Sequence, residues 1–225
     1  MQPKITSYFK GNENKPQKRE LEDILRQQMD SFNTTYKEQI KDHNLELTIY
    51  HKIFSSEFCK ALYDLLYWYG NFPNPHKNRD GQYSKKRNKL MFGSIDTYEV
   101  VYFEQTIVHK VSPWSDMPIL EQVRDLLTKL TGDKYNVCAI QYYNNGAVGI
   151  KPHRDKEMAS GTTITSLSLG ETRVMRFEHK DKQIDINLAS GTLCCICPPT
   201  NDAWLHSIPL DNSRKGRMSV IFRVR

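Results

Sequence analysis

The sequence predicts an α+β fold, a core of two β-sheets with helices packed against its outside, and two observations carry that expectation. Six short apolar runs punctuated by turn residues fill the stretch from Tyr135 to the end, with no long helical pattern among them. Ahead of them lie two segments with helical apolar spacing and recognisable ends. Composition permits such a core, since 38% of the 225 residues are hydrophobic and 26% charged. The length suits one main domain with appendages.

Residues 1–18 carry Gly, Asn, Lys and Pro with few apolar anchors, and a disordered tail is expected there. Within it, QPKITSYF sets Gln2, Ile5, Tyr8 and Phe9 at the spacing Q-x-x-aliphatic-x-x-aromatic-aromatic. That resembles the PCNA-interacting box, which docks a short turn into an apolar groove of the sliding clamp; a chance cluster is the alternative. From Glu20 to about His43, Leu21, Ile24, Leu25 and Met29 recur at helical spacing that weakens through Phe32–Thr35, so 19–44 reads as a helical or linker segment before a domain at 45–225.

LELTIYHKIF then reads as a strand, and SSEFCKALYDLLYWYG as a helix begun by Ser55 or Ser56 and stopped at Gly70. NPHKNRDGQYSKKRNKLMFG is a basic loop feeding the apolar and aromatic residues from Phe92 to Phe103. A second helix, MPILEQVRDLLTKLTG, runs between Met117 and Gly132. The strand candidates follow: YNVCAIQYY, TTITSLSLG, TRVMRFEHK, QIDINLASG, TLCCICPP and RMSVIFRVR.

Lys and Arg number 32 against 26 Asp and Glu, a formal charge of +6 that favours a polyanionic partner. No apolar run of about 18 residues exists and the N-terminus lacks the apolar stretch of a secretory signal, so an intracellular chain with no membrane association is expected. Five cysteines fit a reducing compartment. Cys194, Cys195 and Cys197 read as strand core rather than a zinc or redox site, because adjacent strand residues point to opposite faces.

The chemistry is concentrated in KPHRDKE and HSIP. His153 and Asp155, two apart on a strand, share a face, and a return strand can bring in His206. Two imidazoles and one carboxylate on one face suit non-haem iron, leaving positions open for cosubstrate and oxygen. HxD alone is a common pattern, but RMSVIFR adds Arg217 and Arg223 six apart and therefore on one face. A guanidinium can grip a carboxylate bidentately, as a dicarboxylate cosubstrate requires at its end away from the metal. Zinc hydrolysis would leave both arginines without a role.

Over Lys85 to Arg225 the sequence resembles the AlkB-like dealkylating dioxygenases, and most closely their eukaryotic double-stranded-DNA repair branch. The resemblance rests on Gln141 and Tyr143 in QYYNNGAVGIKPHRDKE, on His153, Asp155 and His206, on Arg217 with Arg223, and on the phrases SPWSDMPILEQVRDLL, SLSLGETRVMRFEHKD and GTLCCICPPTNDAWLHSIP. Gln141 stands where the family usually has Asn, and Ile221 where a Thr would often meet the cosubstrate.

The resemblance implies a double-stranded β-helix (jelly-roll) core, with Fe(II) on His153, Asp155 and His206 and with 2-oxoglutarate and O2 as cosubstrates. It implies that Arg217 holds the distal carboxylate, that Gln141 and Tyr143 contact the cosubstrate, and that Arg223 lies nearer the metal and orients Asp155. The implied reaction is oxidative demethylation of bases such as 1-methyladenine and 3-methylcytosine in DNA, releasing succinate, CO2 and formaldehyde. The target base would be flipped out, with Tyr98, Tyr102 and Phe103 as stacking candidates in the substrate lid and Glu157 near the base. Lys85, Lys86, Arg87 and Lys89, with Asn88 among them, resemble the DNA-gripping loop. RNA stays open as a further substrate, the chain is expected to be monomeric, and the clamp box implies the nucleus or sites of replication. A protein hydroxylase with the same metal set, and a clamp-bound module without turnover, are the alternatives.

Overall fold

The computed structural model describes residues 18–72, 87–102 and 105–225. The tail box (Gln2, Ile5, Tyr8, Phe9), Lys85, Lys86, Phe103 and the side chain of Tyr102 lie outside the described residues.

Helix α1 (Lys18–Gln27) buries Leu21 and Leu25 on one face. The helical spacing that begins at Glu20 ends at Gln27. A single 3-10 turn, Met29–Ser31, follows, and then the strands β1 (Lys37–Asp42) and β2 (Leu45–Tyr50) pair antiparallel. The helical or linker segment expected at 19–44 thus holds a helix and, beyond it, strand, and α1 packs into the main core.

Helix α2 (Ser56–Tyr69) starts at Ser55, whose hydroxyl accepts the Phe58 N–H at 3.0 Å. Helix α3 (Pro118–Thr131) has Pro in its first turn and ends at Gly132, whose φ of 85° suits a residue without a Cβ. Between them come β3 (Asn88–Gly93), the hairpin β4 (Thr97–Tyr102) and β5 (Gln105–Lys110), and the short β6 (Ser112–Pro113). The C-terminal half supplies β7 (Val137–Tyr143), β8 (Ile150–His153), β9 (Ile164–Gly170), β10 (Arg173–His179), β11 (Lys182–Leu188), β12 (Leu193–Cys197), the turn of helix α4 (Thr200–Ala203), β13 (Leu205–Ile208) and β14 (Arg217–Arg223).

These strands build two main sheets. The larger runs β1-β2-β12-β9-β14-β7-β3-β6, the smaller β11-β10-β13-β8, and β4 with β5 stands apart. Both faces of the large sheet are covered, and side-chain alternation sorts its residues. Met218, Val220 and Phe222 of β14 and Cys138, Ile140 and Tyr142 of β7 join α1, α2 and α3 in the outer core. Tyr143, Ile196 and Ile221 face inward, against Met175, Phe177 and Ile208 of the small sheet. The α+β architecture with external helices is therefore the observed one. No helix among the described residues is long and apolar enough to cross a membrane.

Candidate metal centre

The site sits between the sheets, where their strands bring distant residues into register. His206 of β13 lies directly opposite His153 of β8 in the antiparallel pair, with ring centroids 4.4 Å apart. Asp155, just past the end of β8, points its Oδ1 to 3.7 Å from His153 Nε2 and its Oδ2 to 3.9 Å from His206 Nε2. One ligand atom from each residue falls within 4.8 Å of the others, and among the described residues this is the one such group of His, Cys, Asp or Glu.

Hydrogen bonding sets the ligand forms. His153 Nδ1 lies 2.9 Å from the Lys151 carbonyl, which assigns the proton to Nδ1 and leaves the Nε2 lone pair toward the centre. Burial pushes the His206 pKa down to about 4, so at neutral pH it is the uncharged, donating imidazole. Burial alone would raise the Asp155 pKa, but the Arg223 guanidinium, followed by His206 and His153, outweighs it and holds the carboxyl below its ordinary value. Arg223 Nη2 is 2.7 Å from Asp155 Oδ2 and its Nη1 donates to the Tyr98 hydroxyl at 3.3 Å.

Alternation along β14 puts Arg217, Ser219, Ile221 and Arg223 on the inner face. They line one cavity together with Gln141, Tyr143 and the two-His, one-carboxylate set. Arg217 is wholly buried. Its Nη2 donates to Ser168 Oγ at 3.0 Å, its guanidinium carbon lies 5.3 Å from the Tyr143 ring centre, and its Nε and Nη1 have no acceptor among the described residues. Burial lowers its pKa to about 10, which still leaves it cationic at neutral pH. Tyr143 donates its hydroxyl proton to Gln141 Oε1 at 3.0 Å, leaving the Gln141 amide N–H groups to donate elsewhere. A buried cation with two unpartnered donors fits a carboxylate, and the N2O donor set fits iron(II).

The residues expected to meet substrate divide. Arg87, Glu157 and Arg223 lie close enough to Lys89 to act on its charge, and Glu157 acts on Arg223 as well. Burial, with Arg223 and Arg87 adding to it, pushes Lys89 down to about 8. Tyr98 is only 1% exposed, covered by Lys89 Nζ at 5.2 Å and Arg225 Cζ at 4.6 Å from its ring centre. Its ring is thus covered rather than open for stacking, and its hydroxyl accepts from Arg223. Cys194 and Cys195 are strand core on opposite faces of β12, and burial pushes both thiols up, that of Cys194 to about 12.

Two contacts of the arginines escaped the sequence. The Ser168 bond to Arg217 was signalled only by the alternation of small hydroxyl residues in SLSLG, and the Tyr98 hydroxyl on Arg223 joins residues 125 positions apart.

The 2OG-Fe(II) oxygenase superfamily model matches residues 46–223. DNA oxidative demethylase ALKBH2 of Mus musculus is 37% identical over 110 residues, 44% of this chain and 45% of that protein. The Homo sapiens protein of the same name is 36% identical over 110 residues, 44% of this chain and 41% of that one. The match therefore spans less than half the length of each of these relatives. The solved structure of OsALKBH1 superposes with a TM-score of 0.57 at 14% identity, covering 84% of this chain and 100% of that one, which shows a shared fold. With a matched span that takes in most of the chain, including His153, Asp155, His206, Arg217 and Arg223, the chain belongs to the 2OG-Fe(II) oxygenase superfamily.

Proposed function

We propose that this chain is an Fe(II)- and 2-oxoglutarate-dependent dioxygenase that removes methyl groups oxidatively from alkylated bases in DNA. The observation that carries the proposal is the inner face of β14. It offers one guanidinium to Asp155 and leaves another buried with two free donors in the same cavity.

When bound at His153, Asp155 and His206, iron(II) with 2-oxoglutarate and O2 supplies the oxidising power that hydroxylates the methyl carbon. The products are succinate, CO2 and an unstable hydroxymethyl base that releases formaldehyde. Everything else falls to the chain. Arg217 would hold the distal carboxylate of the cosubstrate, and the Gln141 amide would donate to it. Ile164, Ile196 and Ile221 give the cavity apolar walls. Ile221 donates no hydrogen bond, so it sets cosubstrate affinity below what a hydroxyl there would give.

The target base must leave the duplex to reach a centre enclosed between sheets. Arg87 and Lys89 would take phosphate, Glu157 would face the base, and Tyr102 and Phe103 are the stacking candidates. Lys85 and Lys86 would extend the phosphate contacts. The names of the curated relatives support DNA as the substrate. Gln2, Ile5, Tyr8 and Phe9 would bind the sliding clamp and place the enzyme at nuclear replication sites.

The test is anaerobic loading with Fe(II) and 2-oxoglutarate, then admission of air with DNA carrying 1-methyladenine or 3-methylcytosine, beside His153→Ala. Formaldehyde and succinate that require iron, 2-oxoglutarate and His153 are expected. Succinate without base repair would overturn the substrate, and neither product from folded, iron-loaded protein would overturn the enzyme.

A further inference from the structure

Asp155 is gripped from two directions, and only the Arg223 grip was foreseen. Beyond the last residue of β8 the chain has no strand ladder, so nothing regular fixes the peptide that carries this carboxylate. The side-chain amide of Asn201 brackets that residue's backbone instead. Its Oδ1 accepts the Asp155 N–H at 2.9 Å, and its Nδ2 donates to the Asp155 carbonyl at 2.8 Å.

The bracket is itself anchored. Asn201 sits on α4, and the neighbouring Thr200 hydroxyl accepts the Glu46 N–H at 2.6 Å and donates to the Glu46 carbonyl at 3.0 Å, tying the turn to β2. Trp204, wholly buried, donates its indole N–H to the His43 carbonyl at 2.9 Å. His206 follows two residues later on β13. One turn therefore fixes two ligands, His206 through the chain and Asp155 through the amide.

We infer that Asn201 is a positioning residue for the metal: by clamping both polar groups of the Asp155 residue it fixes the direction of the Cα–Cβ bond, while Arg223 fixes the carboxylate. The inference rests on the proposed metal reading. Without Asn201, Asp155 must find the ligating geometry without a backbone anchor, and affinity falls by the factor typical of lost outer-shell support, about 10- to 100-fold. Overall stability changes little, because Thr200 and Trp204 still dock the turn.

The experiment is equilibrium titration of metal-free protein with Co(II), read by visible absorption, together with the melting temperature of the metal-free form. Wild type, His153→Ala, Asn201→Ala, Asn201→Asp and Arg154→Ala are compared. Arg154 donates to the Ala203 carbonyl at 3.0 Å on the same turn, and it serves as a control because that bond does not involve the Asp155 backbone. Asn201→Ala should weaken Co(II) binding by about 10- to 100-fold with melting nearly unchanged. Asn201→Asp keeps the acceptor but loses the donor and should fall between, and Arg154→Ala should bind as wild type. Binding by Asn201→Ala within threefold of wild type overturns the inference; if that variant does not fold, Asn201→Asp binding as wild type overturns it. Wild type that does not bind, or His153→Ala that binds equally well, overturns the metal reading beneath it.

Discussion

Arg217→Met should make the ligand-free protein more stable and deprive it of its cosubstrate. Arg217 is wholly buried, has no carboxylate within ion-pair distance among the described residues, and satisfies one donor on Ser168 while Nε and Nη1 go unpartnered. Burying an ion costs several kcal/mol, and exchanging it for an apolar chain of similar length should recover about 1–3 kcal/mol, or about 2–12 °C of melting temperature for a chain of this size. The cosubstrate side runs the other way. Two charge-assisted hydrogen bonds of about 1.5–3 kcal/mol each correspond to a loss of about 100- to 10,000-fold in 2-oxoglutarate affinity. Thermal unfolding in Mn(II) across a 2-oxoglutarate series reads both effects, because a ligand raises melting in proportion to ln(1 + [L]/Kd). The variant should start higher and stay flat while wild type climbs. A variant that starts lower, or responds at the wild-type concentration, refutes the reasoning.

Arg223→Met removes the 2.7 Å contact to Asp155, so the carboxyl pKa should rise and Co(II) affinity fall by about 10- to 100-fold, more steeply as pH drops; an unchanged titration contradicts this. Lys89, held near pKa 8, loses its charge as pH rises through that value. Binding of methylated DNA, followed by fluorescence anisotropy, should therefore weaken between about pH 7.5 and 9 in wild type, whereas Lys89→Arg should stay level because Arg remains charged. Ile221→Thr should lower the KM for 2-oxoglutarate by about 10-fold through one new hydrogen bond, at little cost in kcat; steady-state kinetics that show no change in KM would remove Ile221 from the cosubstrate's reach.

Where local chemistry decides an element, the sequence already displayed it. Ser55 and Gly70 bound α2 because a hydroxyl cap and the helix stop act within a few residues. The inner row of β14 was visible because alternation admits only two faces, so Arg217 and Arg223, six apart, had to lie on the same one. Strand β1 was hidden since KEQIKD is polar at nearly every position; it is an exposed edge held by its ladder to β2. The strands β8 and β13, four residues each, are too short to show a period and were legible only through the ligands they carry. Asn201 gave no sign at all, because an amide that clamps a peptide 46 positions away leaves no spacing to detect. Tyr98 misled for a physical reason: an aromatic on a lid strand can stack on a base or support a cation, and neighbours distant in sequence, Arg223 and Arg225, determine which.

The most direct measurement is a crystal structure of the chain with Mn(II) and 2-oxoglutarate, using anomalous scattering to locate the metal. The metal is expected on His153 Nε2, Asp155 and His206 Nε2, with the distal carboxylate on Arg217 Nε and Nη1. A metal bound elsewhere, or a carboxylate that passes over Arg217 for another cation, would contradict it.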